Sequence, residues 1–185
     1  MNLLITLLCI VAALALVIYA SWNVDAALRR TKRLPLAALS EVAGRRARVR
    51  IRVLGAVQPV RVPVSQTECC AYQVFLDMHT SDQPVRLFAQ ADASGVRVSD
   101  GLAERILYLR GRWDLHHSLG ESREVTSVLE REAVERMSGL RVGKAGLELF
   151  QKVVTVGMLL DVAGDFVSEG DDLAVWQGLL APAAA

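Results

Sequence analysis

The chain has 185 residues, 52% of them hydrophobic, and 21 Lys+Arg against 20 Asp+Glu leave a net charge of only +1. A chain so near neutrality is not held to nucleic acid by bulk charge, and three cysteines do not build a disulfide scaffold. The charge is uneven: residues 1–92 carry 11 basic and 6 acidic side chains, which leaves 10 and 14 for the remainder.

The first element is Leu3 to Ala20, LLITLLCIVAALALVIYA, an uncharged run broken only by the mildly polar Thr6 and Cys9. At about 1.5 Å per residue it covers roughly 27 Å as a helix, close to the ~30 Å hydrocarbon core of a bilayer, and Trp22 suits the interfacial position beyond it. The run predicts a membrane anchor over residues 1–22. A cleaved secretory signal is the competing reading; it calls for a basic stretch before a shorter apolar core, whereas only Met1 and Asn2 precede this one. Arg29, Arg30, Lys32 and Arg33 follow the run, so the positive-inside rule predicts a single-pass protein with its bulk in the cytoplasm. The sparse cysteines, Cys9, Cys69 and Cys70, agree with a reducing compartment.

Residues 23–43 read as a basic linker and a short helix that opens at Pro35, runs through Leu36, Ala37, Leu39 and Val42, and stops at Gly44. The clearest periodicity comes next: Ala47, Val49, Ile51 and Val53 alternate with Arg46, Arg48, Arg50 and Arg52, as in a strand with one apolar and one basic face. Further strands are predicted over Val60–Val64, Cys70–Asp77, Val85–Gln90, Val96–Val98, Ile106–Trp113 and Glu124–Val128. They match the spacing of a meander or a small, OB-like barrel or sandwich. Pro63 marks the second of these strands as an edge or a bulge, and Asp92–Gly95 reads as a turn in which glycine supplies a positive φ.

Residues 129–185 read as helical. A charged turn spans Glu130–Met137, and Leu149, Val153, Val156, Leu160, Ala163 and Val167 recur at steps of four and three, as on a core-facing helix. A second membrane span over Leu147–Val167 is the alternative, although Lys152, Asp161 and Asp165 interrupt it. Leu173, Trp176, Leu179 and Leu180 fit a short amphipathic helix. The fold class expected is thus a membrane helix followed by a mainly β domain with C-terminal helices, α+β overall.

No residue pattern identifies a reaction. His116 and His117 are adjacent and so point to opposite faces of a strand, where a metal needs three or four converging ligands. Cys69 and Cys70 lack CxxC spacing and a histidine relay, and Asp161 and Asp165 stand one helical turn apart as a carboxylate pair or a solvated helix face. No cofactor or metal is expected. The four alternating arginines are the least ordinary feature. Near an inner leaflet they suit anionic lipid headgroups, while pairing with Glu121, Glu124, Glu130, Glu132 and Glu135 is the internal alternative. Interleaved aromatics for base stacking are lacking, which argues against nucleic acid.

Gly55 and Val57, then Pro63, Cys69 and Tyr72 within VPVSQTECCAYQV, and Phe88, Asp92, Gly95, Val96 and Val98 within LFAQADASGVRV carry a resemblance to the GIDE domain. This is the non-RING part of MULAN-type membrane ubiquitin ligases, also found in bacterial membrane proteins. The resemblance implies that residues 44–128 form a membrane-tethered β domain that mediates protein interactions, with Gly55, Pro63, Cys69, Tyr72, Asp92 and Gly95 as structural positions. Ligase activity does not carry over, because no Cys/His cluster for a RING follows. The expected function is a non-catalytic interaction or scaffold module that meets the membrane, anionic lipids and a protein partner. A membrane-associated enzyme or enzyme subunit is the alternative.

Overall fold

The computed structural model describes residues 33–79, 84–142 and 146–183. The chain divides into two compact units, 1–35 and 36–185, and every element below belongs to the second. The expected anchor, Leu3–Ala20, and the basic cluster Arg29, Arg30 and Lys32 lie outside the described residues, among which no helix is long and apolar enough to cross a membrane.

The strands are β1 (Arg45–Ala56), β2 (Val60–Arg61), β3 (Glu68–Cys69), β4 (Ala71–His79), β5 (Pro84–Ala93), β6 (Val96–Ser99) and β7 (Glu104–Leu115). They continue as β8 (Gly120–Glu124), β9 (Gly146–Val154), β10 (Leu159–Glu169) and β11 (Asp172–Pro182), with the one α-helix among the described residues, α1 (Val128–Ser138), between β8 and β9. Five strands close into a barrel in the order β1-β6-β7-β11-β10 and back to β1. All neighbours are antiparallel except β7 and β11, which run parallel. This is a five-stranded Greek-key barrel of the OB type.

Two excursions leave the barrel and meet. The one between β1 and β6 carries β2 to β5, and the one between β7 and β10 carries β8, α1 and β9. β4 pairs with β9 from Ala71↔Val154 to His79↔Gly146, which creates a second, open sheet in the order β5-β4-β9-β8. Each part has its own core. Val49, Ile51, Val53, Val98, Leu107, Leu160, Phe166 and Val175 fill the barrel; Tyr72, Val74, Leu76, Leu147 and Leu149 fill the annex under Val134 of α1. Fully burying one such side chain is worth about 1.5–3 kcal/mol, so either cluster is a substantial driving force. Helix α1 is set by a capping box: the Ser127 hydroxyl accepts from the Glu130 N–H at 3.2 Å, and Gly139 ends the helix at φ 69.

The predicted α+β class is overturned for the C-terminal part. Leu147–Val167 is not a helix but β9 and β10, joined through Gly157 at φ +88, and Leu173–Leu180 lies in β11. Several apolar residues of the segment lie outside its buried positions, with Val153 half-buried and Val156 and Val167 exposed, so apolar side chains also fell at helical steps. Pro35–Val42 forms turns and a single bridge, Leu36↔Arg48, with Leu39 and Val42 buried on the barrel. The strand expected over Val60–Val64 shrinks to β2, with Pro63 in the turn behind it, and that expected over Glu124–Val128 shifts to β8.

Candidate functional site

The alternation in β1 puts Ala47, Val49, Ile51 and Val53 in the barrel core and turns Arg46, Arg48, Arg50 and Arg52 to the outer wall. The register with β10 places Asp165 opposite Arg46, Ala163 opposite Arg48, Asp161 opposite Arg50 and Leu159 opposite Arg52. Arg50 therefore donates two hydrogen bonds to the Asp161 carboxylate, Nε at 3.0 Å and Nη2 at 3.4 Å, and Arg46 stands 4.0 Å from Asp165. The bond to Asp161, helped by its charge, raises the pKa of the Arg50 guanidinium. Arg46 and Arg50 of the stripe thus face aspartates of β10. In the glutamate segment, Glu130 is bound by Arg123 at 2.7 Å and Glu135 accepts from the Val142 N–H.

The cationic wall continues onto β6. Arg52 faces Ser99 across the β1–β6 pair, and Arg97 follows two residues away on the same outer side. Gly55, opposite Arg97, makes room for it: a Cβ there would come to 2.9 Å from Arg97 Nη2. Among the described residues neither Arg52 nor Arg97 has an ion pair. Arg97, Leu54, Ile106 and Asp172 line a shallow groove on this wall.

The other sequence candidates sit elsewhere. Cys69 and Cys70 are buried free thiols that the two-residue period sends into different cores, Cys69 into the annex and Cys70 into the barrel. Burial, then the neighbouring Cys70 and Asp92 charges, pushes the Cys69 thiol up to about 11, far from a nucleophile's range. The Tyr72 hydroxyl accepts from Gln90 Nε2 at 2.9 Å, and the Pro63 carbonyl accepts from Gln66 Nε2 at 2.6 Å. Gly95 does not supply a positive φ; it is needed for space, since a Cβ there would lie 2.7 Å from Ile106 Cγ2 and 2.8 Å from Tyr108 Cε1. The His116 and His117 rings tilt together at 4.0 Å, with His116 Nδ1 bonded to the Ser118 hydroxyl, and no group of three metal-ligating side chains occurs among the described residues.

Several groups come together that only cross-strand register reveals. Gln73 and Lys152 are opposite each other on β4 and β9, and both are buried. Gln73 Nε2 donates to the Trp113 carbonyl at 3.1 Å and its Oε1 accepts from the Leu115 N–H at 3.0 Å, while Lys152 reaches Asp114 and the Leu115 carbonyl. Together they clasp the annex to the end of β7. On the same face Phe75 stacks on Phe150 at 6.2 Å, with Arg86 4.6 Å above Phe75. Beyond them, Glu148 accepts from the Ser122 hydroxyl and contacts His79 Nε2 at 3.0 Å. The serine is aimed at the carboxylate and not at the imidazole, so this trio is not a nucleophile with its base. Compared with known proteins, the chain matches no family model, no curated protein and no solved structure.

Proposed function

We propose that the chain is a membrane-tethered, non-catalytic interaction module, anchored through Leu3–Ala20 with its β unit on the cytoplasmic side, whose barrel wall contacts anionic lipid headgroups. The observation that carries this reading is the row of arginines on the outside of β1, extended by Arg97, in the strand that follows a basic linker. Each cation brought near an anionic surface adds about 1 kcal/mol. Arg46 and Arg50 already have aspartate partners, so Arg52 and Arg97 carry most of the contact. The GIDE resemblance, carried by Gly55, Pro63, Cys69, Tyr72, Asp92 and Gly95, supports the same class of function, a tethered β domain that also meets a protein partner.

The test is flotation of residues 36–185 with vesicles of neutral phosphatidylcholine or of phosphatidylcholine plus phosphatidylserine. The fragment is expected to float with the anionic vesicles alone and to be released by salt, since at ~0.15 M ionic strength exposed charges reach only about 8 Å. Equal flotation with both vesicle types, or none with either, removes the lipid reading. A reporter fused after Ala185 tests the topology: a cytoplasmic signal is expected, and a signal from the opposite side overturns it.

A further inference from the structure

The two ends of the annex sheet differ from everything in the barrel, because a closed barrel has no edges and an open sheet has two. One edge is β5, ten residues long, against a usual strand length of about 5–6. Its only strand partner is β4, and no backbone hydrogen bond from β5 to any other element occurs among the described residues. Ala89, Gln90, Ala91 and Asp92 are exposed in succession, so this stretch is open on both faces, whereas Ala71–Val74 of β4 beside it are buried on both. Proteins usually shield such an edge with charge, proline or a bulge. Here the bulge falls at Leu87, where Leu87 and Phe88 both pack into the annex core, and Pro84 stands at the start of the strand, so Ala89–Ala93 has no shield but the single charge of Asp92.

We propose that Ala89–Ala93 of β5 is a docking edge that takes an extended segment of a partner protein as a fifth, main-chain-paired strand. The side chains beside the edge define its chemistry. On one face Ala89 and Ala91 form a low shelf beside the half-buried Phe75, which pairs with Ala89 and whose ring Arg86 covers, so the shelf itself leaves room for a large apolar side chain of the added strand. On the other face Asp92 has no ion pair among the described residues and attracts a basic side chain. The partner segment therefore alternates apolar and basic residues, in the mode where backbone pairing supplies affinity and alternate side chains supply specificity. A second copy of this chain fits less well. The only basic residue of β5, Arg86, is held by Asp77 through bonds of 2.8 and 3.0 Å and brings no free cation to Asp92.

The experiment uses the full chain in detergent micelles and the fluorescent peptide Lys-Val-Lys-Phe-Lys-Val. Binding is expected to slow hydrogen exchange at amides of Ala89–Ala93. The same peptide N-methylated at alternate residues should not bind, because it keeps every side chain but cannot pair. A Glu-Val-Glu-Phe-Glu-Val peptide should bind at least about fivefold more weakly, and Asp92→Asn should shrink that preference. Equal binding of the N-methylated peptide, or β5 amides that stay fast with every peptide, overturns strand addition. Protection of β5 in the free protein that rises together with dimer formation in sedimentation gives the edge to a second copy and overturns the partner assignment.

Discussion

The barrel and the annex are built from different strands interleaved along the chain, and they meet their surroundings in different ways. Closure satisfies the barrel's backbone, so only side chains face outward, and on β1 and β6 those are arginines. The annex has a core of its own but leaves strand edges unpaired, and it is held to the barrel by two buried polar side chains, Gln73 and Lys152, beside Ala71 and Val154 in the barrel core. The comparison teaches that the barrel meets its surroundings through side chains alone, while the annex also presents backbone at its edges.

The largest expected effects come from equal truncations in the two cores. Leu160→Ala in the barrel and Leu149→Ala in the annex both remove a fully buried side chain and should each cost about 2–5 kcal/mol. Native-state hydrogen exchange should distinguish them: Leu160→Ala speeds exchange everywhere, whereas Leu149→Ala speeds it in β4, β8 and β9 and spares β1 and β10. Equal acceleration of β1 by Leu149→Ala would show one cooperative unit instead of two. Next is the clasp. Gln73→Leu strips partners from the Trp113 carbonyl and the Leu115 N–H and should cost about 1–3 kcal/mol in denaturant unfolding. Its effect should be non-additive with Lys152→Met across the β4–β9 pair.

A smaller effect is acid-dependent and belongs to the barrel. Burial of Asp100 favours its neutral form, but the N–H groups of Leu39, Leu102 and Ala103 at 2.8–2.9 Å outweigh it and hold the carboxyl below its ordinary value. A depressed folded-state pKa stabilises above the unfolded value of about 3.9, and that contribution is lost as pH falls through the folded value. Melting curves of Asp100→Asn should accordingly be flatter with pH below about 4 than those of the wild type. The smallest effect is a labelling order. Cys69 sits in the annex core and Cys70 in the barrel core, so if the annex opens more readily, iodoacetamide followed by mass spectrometry should find Cys69 modified first. Modification of Cys70 first would reverse the assigned order of stability.

Much of the barrel was legible because its strands bury one face. The alternation over Arg46–Val53 marked most of β1, which runs on to Ala56, and the side on which each of the four alternating arginines lies. The C-terminal strands were hidden for a different reason: opposite the buried Leu160, Val162 and Phe166 of β10, the outer face also carries apolar residues, Leu159, Ala163 and Val167, which blurs the period of two. The available signal was local, the β-branched run Val153–Val156 leading into Gly157, which favours a strand and then a turn. Misreading that segment as a helix also misassigned Asp161 and Asp165, which face Arg50 and Arg46 across a ladder and do not stand one turn apart. Arg97, the Gln73–Lys152 clasp and the β5 edge depend on register and sheet order, which no single stretch of sequence encodes.

The central claim, a barrel wall that reads anionic headgroups, is tested most directly by comparing two double variants of residues 36–185 on anionic vesicles. Arg52→Gln with Arg97→Gln removes two neighbouring wall cations that have no ion pair among the described residues; Arg46→Gln with Arg50→Gln removes those facing Asp165 and Asp161. The first pair should abolish most anionic binding and leave the melting temperature unchanged. The second should lower the melting temperature, because the Asp161 side chain is only 13% exposed and loses its partner, while much of the binding persists. Full anionic binding by the first pair would contradict the account.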